Sequence, residues 1–346
     1  MCIRDRIIGI PYREVMKAGL IPALLFFASI MFIVHLRAVK SDMAIMTDDS
    51  PAESLWSILL PGLRFVIPFV LLISLMVGGY SPFRASFVAL IVLLVGCFLF
   101  EWRDIRNYLL KVLKSLEQGA LAVLSIAAAC AAAGIVAGVL AMTGIGSQIS
   151  AVIIGISAGQ PVIALGLTAL MAIVLGMGLP TTAAYVILAT VVAPPLVQMG
   201  IPNLTAHMFV FFFGCISTIT PPVALASYVA AGIAGSDINK TSWTAFAYGI
   251  TSYILPFMFF FGPALLMDGS AVEILIAVAV GLLSVYCIAT AVVGYFLQPL
   301  GIVGRLAMAA CGLLLMYQSM ATNAVGVGLL LVIFILTKRS LSSGNQ

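Results

Sequence analysis

The chain has 346 residues, 63% of them apolar and only 8% charged, with a net charge of +4. Soluble domains carry about 25% charged residues, so these proportions exclude a soluble globular domain; the length counts membrane spans of roughly 20 apolar residues each. The positive charge is scattered, which excludes a nucleic-acid surface, and Cys2, Cys97, Cys130, Cys215, Cys287 and Cys311 lack the short spacing of metal ligands.

In chain order, residues 1–14 read as an N-terminal leader. Met1–Arg6 is neither a signal peptide nor the start of a span, and Ile7–Leu20 is interrupted by Pro11, Arg13, Glu14 and Lys17. Residues 15–100 read as three transmembrane helices, Val15–Leu36, Leu55–Val77 and Phe83–Phe100, with a polar loop at 41–54. Arg64 stands near enough to one end of the second to snorkel, and Pro61 and Pro68 are expected to bend it. In residues 101–117, apolar Trp102, Ile105, Tyr108, Leu109, Val112 and Leu116 recur at helical spacing between basic residues. That pattern predicts an amphipathic helix in the membrane interface, or against a neighbouring subunit.

Residues 118–236 read as the functional core. Gly119–Met142 is rich in small residues, including Gly134 and Gly138, and is expected to be a buried packing helix rather than a lipid-facing one. Ile149–Ile156 is too short to span and is expected to run along the surface. Residues 237–346 are assigned C-terminal transmembrane helices, Ala245–Met267, Ala271–Leu297, Val303–Tyr317 and Ala324–Leu336, and a polar tail. With the basic tail inside, Arg305, Lys240, Lys111 and Lys114 fall on the cytoplasmic side and Asp268 and Glu273 outside; Arg84, Arg13 and Lys17 run against this orientation.

Two breaks mark the core. Val162–Met177 and Thr182–Val197 are the arms of a re-entrant helical hairpin with its tip at Gly176–Thr181, and Leu204–Cys215 and Val223–Ile233 are halves of one span broken at Ser217–Pro222. Backbone opened inside a bilayer must be satisfied by protein, water, ion or substrate, and paired breaks of this kind point to a transport site. No Asp, Glu, Lys or Arg occurs from Gln118 to Ser236. A sodium ion needs none, because carbonyls at half-helix C-termini and hydroxyls can hold it. Gly176, Gly178, Thr181, Thr182, Ser217, Thr218 and Thr220 are the candidate cation-binding residues. Pro180-Thr181-Thr182 and Thr220-Pro221-Pro222 read as Thr-capped helix starts whose free N–H groups suit a carboxylate substrate. No cofactor and no metal other than sodium is implied.

Other signals point elsewhere. Gly155-Ile-Ser-Ala-Gly159 matches a nucleophile-elbow pattern, yet nothing brings His35 or His207 to Ser157, and close glycine packing explains it; the chain does not read as an enzyme. His207 reads as an interfacial residue near a helix start rather than a proton carrier. A non-transporting membrane scaffold with kinked helices is the competing reading outside transport.

Gly176-Met-Gly-Leu-Pro-Thr-Thr-Ala-Ala-Tyr185, Val192-Ala-Pro-Pro195 and Thr218-Ile-Thr-Pro-Pro-Val-Ala-Leu-Ala226 resemble the large permease of tripartite ATP-independent periplasmic (TRAP) transporters. Leu-Pro-Thr-Thr and Ala230-Ala-Gly-Ile-Ala-Gly235 are similar to the fused permeases that work with TAXI-type binding proteins. The resemblance implies a multi-pass protein of the bacterial inner membrane, embedded in lipid, with an all-α secondary-transporter fold of inverted repeats. It also implies sodium-coupled import of organic acids, with a periplasmic TAXI-type substrate-binding protein and a small permease subunit or its fused upstream equivalent as partners. One hairpin and one broken helix are found where the family has two such units, so the chain is expected to be the second repeat, a C-terminal fragment with Met1–Arg6 as foreign junction. A divalent-anion/sodium symporter without a binding protein shares the broken-hairpin plan.

Overall fold

The computed structural model describes residues 9–41, 55–101 and 104–343. The leader residues Met1–Arg6, most of the 41–54 loop, and Trp102 lie outside the described residues. The described residues are helical, with no sheet among them; Tyr295 and Pro299 make an isolated bridge. Among them, six helices are long and apolar enough to cross a membrane. The protein is an all-α polytopic membrane protein.

The chain divides into two compact units, one holding residues 1–16 and 45–132, the other 17–44 and 133–346. In the first, α2 (Leu55–Val77) packs against α3 (Pro82–Glu101). The apolar run that forms α2 ends at Gly78-Gly79, where Gly79 takes a φ of +87° that a β-carbon would oppose. Arg64 lays its guanidinium 4.9 Å over the Phe65 ring, a contact that shelters the charge on an otherwise apolar helix. Tyr108, on the first turn of α4 (Ile105–Thr143), donates 2.8 Å to the Leu94 carbonyl and packs edge-on to Phe98.

α4 corrects one expectation. It runs unbroken for 39 residues, so no boundary separates an amphipathic 101–117 helix from the Gly119–Met142 segment. Gly119 alone does not stop a helix whose neighbours are strong formers. Within the second unit, Ala133 and Ala137 are buried, while a β-carbon at Gly134 or Gly138 would meet nothing within 4 Å. Small side chains make close packing possible without specifying what packs there.

In the second unit, α1 (Tyr12–Lys40) outruns the predicted Val15–Leu36 at both ends. The core is organised on α9 (Asn203–Ile216), whose Phe209 and Phe213 are fully buried and ring-stacked at 5.0 Å. Around α9 sit α6 (Pro161–Gly176), α7 (Thr181–Val191), α8 (Ala193–Gln198) and α12 (Ile250–Phe261), and α5 (Ile145–Ser157) covers α6 to α8. α12 continues α11 (Ile238–Tyr248) across Gly249, so this apolar stretch starts seven residues before the predicted Ala245. α13 (Ala271–Val293), α14 (Ile302–Met316) and α15 (Met320–Ser343) pack in succession around Cys287, Met308, Cys311 and Leu315. Gly312 is required there: a β-carbon would fall 2.5 Å from Ile288. Burying each such aliphatic side chain contributes roughly 1.5–3 kcal/mol where water is the alternative; in lipid the gain comes from tight packing instead.

Candidate functional site

The first predicted hairpin arm is α6; the second, Thr182–Val197, is divided at Val192 into α7 and α8, and α6 and α7 are joined by Met177–Pro180 and packed on each other. Gly178 turns the tip at φ +76°. The broken span is α9, a 3-10 turn at Ser217–Ile219, an extended Thr220, a turn at Pro221 and Pro222, and then α10 (Leu225–Ala234). Both interruptions therefore lie where the Gly/Pro/Thr clusters occur.

Glycine brings the two together. The Ser217 hydroxyl is buried at the end of α9 and lies 3.0 Å from the Gly176 carbonyl oxygen and 2.8 Å from that of Gly214. A β-carbon at Gly176 would stand 2.7 Å from Ser217 Oγ, so only glycine allows the contact. One turn back, a β-carbon at Gly214 would meet Leu188 of α7 at 3.0 Å. At the tip, one at Gly178 would meet Val223 at 3.3 Å. The C-terminal ends of α6 and α9 thus converge, each carrying the partial negative charge of a helix terminus.

The hydroxyls are arranged differently from expectation. Thr218 donates 2.7 Å to the Cys215 carbonyl, and Thr220 donates 2.8 Å to that of Ile216. Thr220 does not cap the second half-helix. α10 begins at Leu225 behind Ala224, with no side-chain cap. The reason lies in the prolines: a residue before proline is pushed out of the helical region, so Thr220 before Pro221 is extended, and Pro221 and Pro222 make a turn instead of opening the helix. Thr220 has ψ 123°, as this requires. Tyr228 instead holds the loop by donating to the Pro222 carbonyl. At the hairpin, Pro180 takes the N-cap position and Thr181 is the first helical residue, so neither Thr181 nor Thr182 caps α7. Pro180, Thr181 and Pro222 are exposed, Pro221 and Thr182 half-buried. Among the described residues no hydrogen bond joins Thr181 or Thr182 to Thr218 or Thr220.

One residue escaped the sequence reading, and another was named there without its partner. Tyr253 of α12 places its hydroxyl 2.5 Å from Thr220 Oγ1. Because Thr220 donates to Ile216, Tyr253 is the donor in this pair. Phe246, at 5.3 Å, and Phe213, at 6.4 Å, hold its ring. A contact spanning 33 residues leaves no local sequence signal. His207 is the other. It is buried on α9 with Nδ1 3.0 Å from the Tyr185 hydroxyl of α7, a partner that the sequence did not indicate. The Asn203 helix start lies only one turn away, which is why spacing alone placed it at a boundary. Ser157 is also accounted for: its hydroxyl donates 2.9 Å to Ile154 within α5, at a helix C-terminus rather than a strand-to-helix elbow. Among the described residues no cluster of His, Cys, Asp and Glu could hold a metal ion.

Residues 1–274 match the family model described as Tripartite ATP-independent periplasmic transporter, DctM component. The chain belongs to this family. No curated protein and no solved structure matches it. The matched range takes in the hairpin, the broken span and Tyr253, and ends at the first turn of α13. The protein is thus a permease component of a TRAP transporter, a multi-pass membrane protein working with a periplasmic binding protein. For a TRAP permease, the meeting of α6 and α9 at Gly176 and Ser217 is the candidate transport site.

Proposed function

We propose that this TRAP permease imports organic acids across the bacterial inner membrane by sodium symport, receiving them from a TAXI-type binding protein and working with a small permease subunit or its fused equivalent. The observation that carries this reading is the convergence of the α6 and α9 C-termini at Gly176 and Ser217, in a stretch without a single charged residue from Gln118 to Ser236. Two helix ends amount to about one negative charge, enough to attract one monovalent cation. Carbonyl and hydroxyl oxygens of Gly176, Gly178, Ser217, Thr218 and Thr220 would ligate it, with Thr181 and Thr182 at the hairpin side. The free N–H groups that open α7, after Pro180, and those that follow the Pro221-Pro222 turn ahead of α10 would receive the substrate carboxylate beside the ion. Each would then stabilise the other, which is coupling.

The test is uptake of labelled carboxylates into vesicles containing the permease with its binding protein and any small subunit. Uptake driven by an inward sodium gradient, and not by a proton gradient alone, is the expected result. Uptake indifferent to sodium would refute the proposal.

A further inference from the structure

The basic end of the α13–α15 bundle carries a second site. Arg305, at the start of α14, donates through Nε to the Ala291 carbonyl at 2.8 Å and through Nη2 to that of Val292 at 2.9 Å. Lys40, the last residue of α1, donates to the next carbonyl, Val293, at 2.6 Å. The C-terminus of α13 is thereby capped by two cations from other helices. They stand side by side: a β-carbon on Gly294 would meet Arg305 Nε at 3.2 Å and Lys40 Nζ at 3.4 Å. No Asp or Glu occurs from Ile274 to the end of the chain, and α1 holds one acid, Glu14, near its far end. Among the described residues, two full positive charges against about half a negative charge from the helix end leave the pair uncompensated. Both residues are exposed. Two of the five guanidinium donors and one of the three ammonium donors are used, so the remainder can reach further oxygens.

Directly beside Arg305 an apolar groove of about 390 Å³ runs between α12 and α14. Its walls are Ile250 and Ile254 on one side and Ile302, Leu306, Ala309 and Leu313 on the other, over a floor of α13. From Ile302 to Leu313 the helical rise gives a length of roughly 16 Å. Phe334 packs on Phe296, which brings the last turns of α15, with Lys338 and Arg339 beyond, to the same end.

We propose that this groove and the Lys40–Arg305 pair form a binding site for an anionic phospholipid, its phosphate on the two cations and one acyl chain along the α12–α14 groove. A soluble anion would satisfy the cations but leave the groove unfilled, and a zwitterionic lipid would fill the groove while offering its own competing ammonium. Basic pockets between transmembrane helices bind anionic headgroups for this reason.

The experiment is native mass spectrometry of the detergent-purified full chain, titrated with phosphatidylglycerol and with phosphatidylcholine of identical acyl chains. The wild type is expected to retain phosphatidylglycerol preferentially. Arg305→Gln should weaken that retention about fivefold, and Arg305→Gln with Lys40→Gln should abolish the preference. If removing cations from the helix end prevents folding, Ala309→Trp, which fills the groove and keeps both charges, should weaken both lipids alike. Glycerol 3-phosphate in excess should not displace the lipid. Equal retention of the two lipids, an unaltered preference in the double variant, or displacement by glycerol 3-phosphate would overturn the proposal. So would release of a co-purifying polypeptide by Ala309→Trp, since the groove would then seat a protein helix.

Discussion

Ser217 Oγ lies 3.0 Å from the Gly176 carbonyl oxygen, a contact that joins the end of the first hairpin arm to the break in the span. It exists because position 176 lacks a β-carbon and position 217 carries the shortest hydroxyl side chain. Both α6 and α9 end there, in a stretch of sequence without charged residues.

Gly176→Ala would place a methyl 2.7 Å from Ser217 Oγ and 3.1 Å from its Cβ. Inserted methyl groups in packed interiors cost about 1–3 kcal/mol. A thermal melt in detergent should therefore show a lowered midpoint, and Ser217→Gly introduced with Gly176→Ala should restore part of it. No fall in the single variant would mean that the two segments do not pack as described.

Tyr253→Phe keeps the ring against Phe246 and removes the donor to Thr220. A hydrogen bond of this kind contributes about 1 kcal/mol. Thr220→Ala and Tyr253→Phe should be non-additive in unfolding free energy by a similar amount in a double-mutant cycle. In uptake assays with the complete transporter, Thr220→Ala is expected to weaken the sodium dependence, because it also removes a proposed ligand. Unchanged sodium dependence would remove Thr220 from the site.

Tyr185→Phe would leave His207 Nδ1 buried without its 3.0 Å partner. An orphaned buried polar group costs about 1–3 kcal/mol, so stability should fall while sodium dependence stays. Loss of sodium dependence without destabilisation would instead assign the pair to transport.

Ser157→Ala removes a hydroxyl that already bonds within its own helix. Uptake should be unaffected and the melt nearly so. A strong functional loss would reopen a chemical role for this serine.

Much of this fold was legible because apolar runs end at punctuation. Leu55–Val77 was read to the residue, since Gly78-Gly79 closes it. The hairpin and the broken span were legible because Gly, Pro and Thr cluster where helical hydrogen bonding stops. The continuity of α4 was not, because a change from basic to small residues at Glu117–Gly119 alters what a helix faces without interrupting it. The start of α10 was missed by treating Thr220 as a cap, when Thr220 is extended ahead of Pro221 and the two prolines form a turn before the helix. Tyr253, and the Lys40–Arg305 pair on α13, depend on contacts between distant segments, and nothing local in the sequence records them.

The central claim, an ion held where α6 meets α9, is tested most directly by cysteine protection. Thr220 is buried, whereas Thr181 is exposed and Thr218 half-buried, so Thr181→Cys and Thr218→Cys are the informative probes. Alkylation of each would be followed by mass spectrometry in sodium and in choline. Slower modification in sodium at both positions, with no change at the native Cys97, is the predicted result. Equal rates in the two salts at both positions would contradict a sodium site at Gly176 and Ser217.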